Sequence, residues 1–465
     1  MKIKYSDLID QTFHFPQEGF HTVDNELYFY DIPLMDIIKQ YGTPLKISYL
    51  PKISTNIQRA KRMFKVAMAQ VDYKGTYTYC YCTKSSHFSF VLEEALKNDI
   101  HIETSSAYDM EILRELSTRG LITKENYIVC NGFKKELYQD LISEFVNEGY
   151  ENLIPVLDNK NEFDYYDNNI NKRCKLGIRI ASEEEPQFEF YTSRLGIRYK
   201  DIVSFYQEKI QHSKKFELKM LHFFINTGIR DSVYYWSELA KCLRVYCDLK
   251  KICPELDSLN IGGGLPTKNS LNFSFDYEYI IQEIVAQIKS FCNENGVEEP
   301  NIFTEFGSFT VAESGATLFN VMDVKQQNDT EIWYMIDSSF ITTLPDTWGI
   351  NQRFIMLAVN NWEREYQKVN LGGVTCDSLD YYNAESHISQ VFLPKTHSHD
   401  EDPLYIGFFH TGAYQESLGG YGGIQHCLVP APKHVIIQRD ENGEYYTNIF
   451  SKEQSYKSML KILGY

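Results

Sequence analysis

Eight short β-rich segments alternate with helix-like segments between residues 77 and 305, and this order constrains the fold more than any other feature of the chain. The segments are YTYCYC (77–82), DIHIET (99–104), NYIVC (126–130), LIPVLD (153–158), KLGIRI (175–180), MLHFFI (220–225), SLNIGGG (258–264) and IFTE (302–305). Strands that alternate with helices pair in parallel through right-handed crossovers. Eight such units predict an α/β fold with a closed (β/α)8 TIM barrel, whose functional groups lie at the carboxyl ends of the strands.

The sequence pattern changes after about residue 306. Strand-like runs replace the long helical patterns, as in EIWYMIDSSF (331–340), PLYIGFF (403–409) and KHVIIQRDENGEYYTNIF (433–450). Such runs favour a separate β domain of the sandwich or barrel-like kind. We therefore predict a barrel over residues 51–306 and a C-terminal β domain over 307–465, completed by strands from residues 1–50.

Charge and cysteine usage narrow the class of protein. The net charge of −17 among 465 residues opposes binding to nucleic acid, which requires clustered Lys and Arg, and it suits a cationic small molecule. No run of roughly 20 apolar residues predicts a membrane span, and the start of the chain turns acidic before a signal core develops. Ten scattered cysteines without a CxxC pair indicate reduced thiols. We expect a cytoplasmic enzyme.

Lys84 follows the first β-rich segment. Two faces alternate along YTYCYCTK, so that the tyrosines share one face and the Thr and Cys side chains share the other with Lys84. A partly desolvated lysine at the mouth of a barrel has a lowered pKa and can form a Schiff base with a carbonyl compound. The same pattern fits an unreactive lysine that reaches solvent, and position alone does not decide between the two.

Two further features stand at the ends of predicted barrel strands. The run Gly262-Gly263-Gly264 frees backbone N–H groups to wrap an anion, although three glycines also form ordinary tight turns. Glu305, followed by Gly307, ends the eighth segment with a carboxylate. Such a group commonly pairs with a cation in the lumen, and a structural salt bridge at the barrel rim is the alternative.

The β domain offers two loop motifs. Cys376 and Asp377 place a thiol beside a carboxylate, and Tyr414 ends the segment HTGAY (410–414). Both are compatible with loops that have no chemical role. His397 and His399 lie in a polar loop without a distant partner, so we predict no metal site.

In this order and spacing, the segments resemble the fold-type III pyridoxal-phosphate decarboxylases that act on ornithine, diaminopimelate and arginine. In that family a lysine after the first barrel strand carries the cofactor, a GGG loop holds its phosphate, an E-P-G segment contacts the pyridine nitrogen, and C-D and G-A-Y segments come from the β domain. The resemblance implies pyridoxal 5′-phosphate as cofactor. The matching residues here are Lys84, Gly262, Gly263, Gly264, Glu305, Gly307, Cys376, Asp377, Gly412 and Tyr414.

Two family residues are replaced in this chain. The family's H-x-G-S becomes FINT (224–227), so the ring of Phe224 stands where an imidazole normally stacks on the cofactor. His222, two residues earlier, is expected either in the core, which is favoured, or beside a residue that contacts the cofactor. The family's E-P-G-R becomes EFGS (305–308), which removes an arginine that contacts phosphate. The resemblance then implies that the glycine N–H groups, Thr227, Ser308 and Tyr414 bind the phosphate.

The segment LPDTWGINQRF (344–354) is similar to one found in biosynthetic arginine decarboxylases. This resemblance implies decarboxylation of L-arginine to agmatine in polyamine biosynthesis, with Cys376 returning a proton to the substrate carbon and Asp346 and Asp377 facing the guanidinium. It also implies a homodimer whose active sites are shared across the interface. Diaminopimelate, carboxynorspermidine and ornithine are alternative substrates. A regulatory homologue without activity is a further alternative, supported only by the two replaced residues.

Overall fold

The structure is a computed structural model that describes residues 15–183, 191–382, 390–398 and 400–465. The chain forms two compact units. The barrel unit consists of Ile53–Pro266 and Phe275–Thr310, and the β unit consists of Met1–Lys52, Thr267–Ser274 and Val311–Tyr465. No helix in the described ranges combines the length and the apolar character that crossing a bilayer would need.

Eight parallel strands close into a barrel in chain order, and the eighth pairs with the first. This confirms the predicted TIM barrel, because each strand overlaps one of the eight predicted segments. The strands are Tyr77–Cys82, His101–Thr104, Ile128–Cys130, Leu153–Leu157, Cys174–Arg179, Phe216–His222, Ser258–Asn260 and Asn301–Phe306.

Helices connect the barrel strands. The helix after the second strand begins at Ser106, whose hydroxyl accepts a hydrogen bond from the backbone N–H of Asp109 at 3.2 Å, as expected of a Ser N-cap. The described α-helices of this unit are Pro51–Gln70, Ser89–Leu96, Ala107–Thr118, Glu136–Glu148, Asn161–Asn169, Tyr199–Phe205, Val233–Lys250, Tyr277–Asn295 and Ser308–Val311.

The first barrel strand separates the lumen from the helix layer. Cys80, on the Thr and Cys face, is buried in a cluster with Val129, Ile154, Val156, Met220 and Phe303, which come from four other strands. On the opposite face, the ring of Tyr77 stacks on Phe64 of the helix Pro51–Gln70, with ring centres 4.1 Å apart. The lumen is therefore packed with side chains, which leaves the rim for chemistry.

The β unit contains a nine-stranded mixed sheet and a separate three-stranded sheet. Leu45–Tyr49 lies inside the large sheet, antiparallel to Gly315–Gln326 and parallel to Lys433–Arg439, so an N-terminal strand completes the C-terminal β domain as predicted. The small sheet consists of Phe20–Val23, Glu26–Phe29 and Ile32–Pro33. The other strands of the large sheet are Ile332–Ile336, Ile355–Ala358, Tyr366–Gly372, Gln390–Pro394, Tyr405–Phe409 and Tyr445–Ser451. The described α-helices are Leu34–Tyr41, Phe340–Thr343, Asp346–Gly349, Gln415–Leu418 and Tyr456–Leu463.

Candidate active site

Lys84 lies in a 3-10 turn, Thr83–Ser85, directly after the first barrel strand. The strand ends at Cys82, so the turn rather than the strand pleat sets the position of Lys84, unlike the sequence-based expectation. Its Nζ lies 2.7 Å from Cys82 Sγ and 3.0 Å from Glu103 Oε2, while 44% of the side chain remains exposed. Nζ is therefore held by two contacts, while the side chain remains partly accessible to solvent.

Glu103 belongs to the second barrel strand and is fully buried. Its carboxylate accepts hydrogen bonds from Lys84 Nζ, from Cys82 Sγ at 2.6 Å and from Asn131 Nδ2 at 3.2 Å. Burial and the negative charge of Glu103 raise the pKa of Cys82 well above its ordinary value. Cys82 therefore remains a thiol that donates to Glu103.

Glu305 lies in the eighth barrel strand and is also buried. Its Oε1 accepts from Asn131 Nδ2 at 2.6 Å and from Asn260 Nδ2 at 2.5 Å, and its Oε2 lies 3.3 Å from His222 Nε2. Burial raises the pKa of this carboxyl, but the charges of His222 and Lys84, together with hydrogen bonds from His222 and Asn131, outweigh burial and lower the pKa to about 2. Glu305 is thus ionised at neutral pH.

A continuous polar network joins Lys84 to Glu305 across the rim. Both ends were predicted from sequence, but the buried residues between them were not. Each of these lies at or next to the carboxyl end of a barrel strand, and that position is the available sequence signal. His222 is buried as expected, but it pairs with Glu305 rather than packing among apolar side chains. From Lys84 the network passes through Glu103 and Asn131 to Glu305, which also contacts Asn260 and His222.

The glycine run follows the seventh strand and lies against the end of the eighth. The Gly262 carbonyl accepts a hydrogen bond from Glu305 N at 2.8 Å, and Gly262 N–H donates to Asn260 Oδ1 at 2.9 Å. Gly262 and Gly264 have φ values of +69° and +87°, which favour glycine. At Gly263 a Cβ would lie 2.3 Å from the carbonyl oxygen of Glu305. The backbone here can approach so closely only without side chains.

Thr227 lies in the loop that packs against the glycine run. Its buried Oγ1 has no hydrogen-bond partner among the described residues, whereas the nearby Ile229 N–H donates to Gly264 O at 2.9 Å. An orphaned buried hydroxyl is costly unless a ligand satisfies it. A phosphate group at the glycine run would supply the missing acceptor. The loop of Thr227 and the glycine run together are therefore suited to bind an anion.

Phe224, Gly307 and Ser308 also lie in the barrel unit. The carbonyl of Phe224 accepts from Ser182 Oγ at 2.5 Å, and the guanidinium of Arg179 lies 6.0 Å from the centre of its half-buried ring. Ser308 begins the short helix Ser308–Val311 after Gly307, where a Cβ would lie 3.0 Å from that of Ser85. The ring of Phe224 is available for stacking but offers no hydrogen bond.

In the β unit, Asp346 is brought together with the segment that contains Tyr414. Gln415 Nε2 donates to Asp346 Oδ2 at 2.7 Å, and Asp346 N–H donates to Gln415 Oε1 at 3.3 Å. Tyr414 adopts a left-handed backbone with φ +67° directly before the helix Gln415–Leu418. Burial raises the pKa of Asp346, while the hydrogen bond from Gln415 lowers it in part.

The exposed Cys376 and Asp377 lie in a loop that a third residue organises. The buried carboxylate of Asp380 accepts from Thr375 N at 3.0 Å, from Thr375 Oγ1 at 2.6 Å and from Phe340 N at 2.8 Å. Cys376 Sγ lies 3.5 Å from Cys427 Sγ, and the hydrogen bond and charge of Cys427 raise the pKa of Cys376. His399, from the polar loop considered above, lies outside the described residues.

The chain is similar in sequence and in fold to known decarboxylases. The chain is 23% identical to the biosynthetic arginine decarboxylase of Prochlorococcus marinus (strain MIT 9215), over 92% of this chain and 83% of the relative. The solved biosynthetic arginine decarboxylase of Campylobacter jejuni aligns with a TM-score of 0.79 at 19% identity, over 97% of this chain and 89% of that one. The diaminopimelate decarboxylase of M. jannaschii aligns with a TM-score of 0.77 at 16% identity, over 96% and 97%. These two structures share the fold.

The family assignment rests on a match that extends over most of the barrel unit and not on a single motif. The family described as pyridoxal-dependent decarboxylase, pyridoxal binding domain, matches residues 54–312, which is more than half of the chain. That range contains the barrel, Lys84, the glycine run and Glu305. The protein belongs to the pyridoxal-dependent decarboxylases.

Proposed function

We propose that the protein decarboxylates L-arginine to agmatine and carbon dioxide, as a step in polyamine formation. The observation that carries the proposal is the network that joins Lys84 to the buried, ionised Glu305 at the carboxyl ends of the barrel strands. The choice of substrate is supported by LPDTWGINQRF (344–354) and by relatives named arginine decarboxylases that align with 90% or more of the chain.

The barrel residues fit pyridoxal phosphate, which when bound takes up the electron pair that the departing carbon dioxide leaves behind. Lys84 would hold the cofactor through Nζ. Glu305, which is negatively charged at neutral pH, would accept a hydrogen bond from the pyridine nitrogen and keep that nitrogen protonated. Phe224 would lie against the ring.

The phosphate would be bound without the arginine that the family normally provides. Backbone N–H groups of Gly263 and Gly264 supply donors, since that of Gly262 already donates to Asn260, and the orphaned hydroxyl of Thr227 supplies another. Ser308 adds a hydroxyl after Gly307. Neutral donors hold a phosphate less strongly than a bidentate guanidinium does, so the affinity for the cofactor is expected to be lower than in relatives that carry the arginine.

The β unit would supply the groups for the substrate. Carboxylates bind a guanidinium through paired hydrogen bonds, and Asp346 and Asp377 are the candidates for this role. The thiol of Cys376 would carry the proton that replaces the lost carboxylate on the substrate carbon. Tyr414 would complete the phosphate site.

These β-unit groups would act in a homodimer, with the loop of one copy completing the site of the other. Exposed apolar side chains occur in the loop of Cys376 and in the segments around Gln415 and Cys427, which supports coverage of part of the β unit by a second copy. They are Val374, Leu379, Leu418 and Leu428, with 45%, 51%, 61% and 48% of their surfaces exposed. The ten free thiols suit a reducing compartment, so we infer a cytoplasmic location.

The test is to purify the protein with added pyridoxal phosphate and measure carbon dioxide release from arginine, ornithine, lysine, diaminopimelate and carboxynorspermidine. Release from arginine at a kcat/KM at least tenfold above the others is expected. Preference for another member of the panel would overturn the substrate. Bound cofactor without any turnover would instead favour the regulatory homologue.

The role of Lys84 is tested separately. Lys84→Ala is expected to lose more than 1,000-fold in kcat, because the cofactor amine is removed. Lys97→Ala is the matched control, since Lys97 belongs to the same unit, is 62% exposed and forms an ion pair with Glu94 at 2.7 Å. Full turnover by Lys84→Ala would show that the assignment of the cofactor lysine is wrong.

A further inference from the structure

We propose that Cys376, Cys427 and His426 form a binding site for a soft divalent metal ion, represented by Zn²⁺, and that its occupation inhibits the enzyme by engaging the Cys376 thiol. The inhibition rests on the proposed function of Cys376. The metal site itself rests on the geometry of the three side chains, which lie on two loops far apart in sequence.

The three ligand atoms are already gathered. One ligand atom from each residue lies within 4.8 Å of the other two, and the two sulfur atoms are 3.5 Å apart. Two thiolates on one tetrahedral zinc ion, each with a bond of about 2.3 Å, lie roughly 3.8 Å apart. The observed separation is therefore close to that of a shared metal, and it is well beyond the length of about 2.05 Å that a disulfide requires.

The set of ligands is selective. Two thiolates and an imidazole favour Zn²⁺ over hard ions such as Mg²⁺ and Ca²⁺, which prefer oxygen. All three side chains are exposed in the single chain. Asp377 lies 3.9 Å from His426 Nε2 and is a candidate for the fourth position, which water would otherwise fill.

Both loops are held in place by contacts that do not involve the three ligands. The buried carboxylate of Asp380 fixes the loop of Cys376, as described above. In the other loop, Gln425 Nε2 donates to Gly419 O at 2.9 Å, and Gln454 Nε2 donates to Gly423 O at 2.9 Å. The site is therefore largely organised before any metal binds, which limits the entropic cost of binding.

Metal binding is accompanied by the release of protons. The thiols of Cys376 and Cys427 each release a proton to solvent as the metal–sulfur bonds form, and neither sulfur changes its oxidation state. With Sγ bound to the metal, Cys376 has no proton to deliver to the substrate carbon. When a chelator removes the metal, both thiolates take up a proton from solvent, which restores the Cys376 thiol.

The first experiment measures binding and does not depend on turnover. Holoenzyme kept reduced with a phosphine is dialysed against Zn²⁺, and Co²⁺ is used in parallel to detect thiolate-to-cobalt absorption. One ion per chain with a thiolate band is expected. Cys427→Ser and His426→Asn should each raise the Kd at least tenfold, whereas the exposed His397→Asn should leave it unchanged. Binding that both site variants retain at wild-type affinity would overturn the site.

The second experiment measures inhibition with the best substrate of the panel. Zn²⁺ should lower kcat of the wild-type enzyme at least tenfold, with recovery on addition of chelator. Cys427→Ser should require at least tenfold more Zn²⁺ than the wild type for half inhibition, each measured against its own activity in the absence of metal. Equal sensitivity of wild type and Cys427→Ser would overturn the inhibitory role. Failure of decarboxylation would leave the measured stoichiometry intact, so the two proposals fail separately.

Discussion

Asn131 lies between the two buried carboxylates of the barrel rim, and its single amide nitrogen donates to Glu103 Oε1 at 3.2 Å and to Glu305 Oε1 at 2.6 Å. One side chain thereby couples the carboxylate that holds Lys84 to the carboxylate proposed for the pyridine nitrogen. Two negative charges at this separation repel each other in a low-dielectric site. Donors such as Asn131 lower the energy of keeping both ionised.

Replacement of Asn131 by Ala is expected to destabilise the protein and to weaken the cofactor site. Both carboxylates would lose a donor, at a cost of about 1–3 kcal/mol in the free energy of unfolding. Urea unfolding and titration with pyridoxal phosphate measure the two effects. Asn168→Ala, at an exposed position of the helix Asn161–Asn169 in the same unit, is the control and should change stability by less than about 0.5 kcal/mol. Equal effects of the two variants would contradict the bridging role.

Replacement of Gly263 by Ala is expected to lower the affinity for pyridoxal phosphate at least tenfold. The new Cβ would meet the carbonyl oxygen of Glu305 at 2.3 Å, so the glycine run or the end of the eighth strand must move. Fluorescence or absorbance titration with the cofactor measures the change. Gly120→Ala separates strain from this clash, because Gly120 has φ +71° and open space around it. That control should lose about 1–2 kcal/mol of stability and keep its cofactor affinity.

Replacement of Asp380 by Asn is expected to disorder the loop of Cys376. An amide would place a donor against Thr375 and Phe340, which both donate to the carboxylate. The expected loss is about 1–3 kcal/mol in unfolding free energy, together with at least a tenfold fall in kcat and faster reaction of Cys376 with a disulfide reagent. Asp329→Asn, at an exposed position in the β unit, should leave all three unchanged. An unaltered thiol rate in Asp380→Asn would argue against the anchoring role.

His434 is expected to reduce stability as the pH falls from about 6.5 to 4. Burial lowers its pKa to about 4, although the charge of Glu416 opposes this and that of Lys46 adds to it. The unfolded chain binds the proton first, so the stabilising contribution is present above about pH 6.5 and is lost toward the folded pKa, at up to about 1.4 kcal/mol per pH unit.

His434→Gln removes this titration and leaves an amide that can bond to Ser48, the partner of His434 Nε2 at 2.8 Å. The unfolding free energy of wild type should therefore fall relative to that of the variant when urea unfolding is measured at pH 5 instead of pH 7. His410 also has a pKa lowered to about 4 by burial, but it is present in both proteins and cancels in the difference. A difference that does not change with pH would show that His434 titrates normally.

The barrel could be predicted because its signals are local. Strand-length apolar runs, helical stripes and the cap at Ser106 each depend on near neighbours in the chain. A closed parallel barrel then brings every carboxyl end to one rim. This is why Lys84, Gly263 and Glu305, which are far apart in sequence, were predicted to share a site before any distance was known.

The partners of these residues could not be predicted, because barrel closure and stagger decide which side chains meet. Glu103, Asn131 and Asn260 are polar residues in or directly after β-rich segments, and no local pattern links one to another. The turn at Lys84 likewise replaced the simple alternation of the strand, since the chain leaves the pleat at Cys82.

The sequence by itself determined the order of strands and helices, the residues at the strand ends and the resemblance to pyridoxal-dependent decarboxylases, because periodicity and motif spacing are properties of the chain. Tertiary structure decided that Asn131 joins two carboxylates, that His222 pairs with Glu305, and that Cys376 meets Cys427 across 51 positions. The physical reason is that hydrogen bonds and ion pairs act over a few ångströms in space, whereas sequence patterns report only distances along the chain.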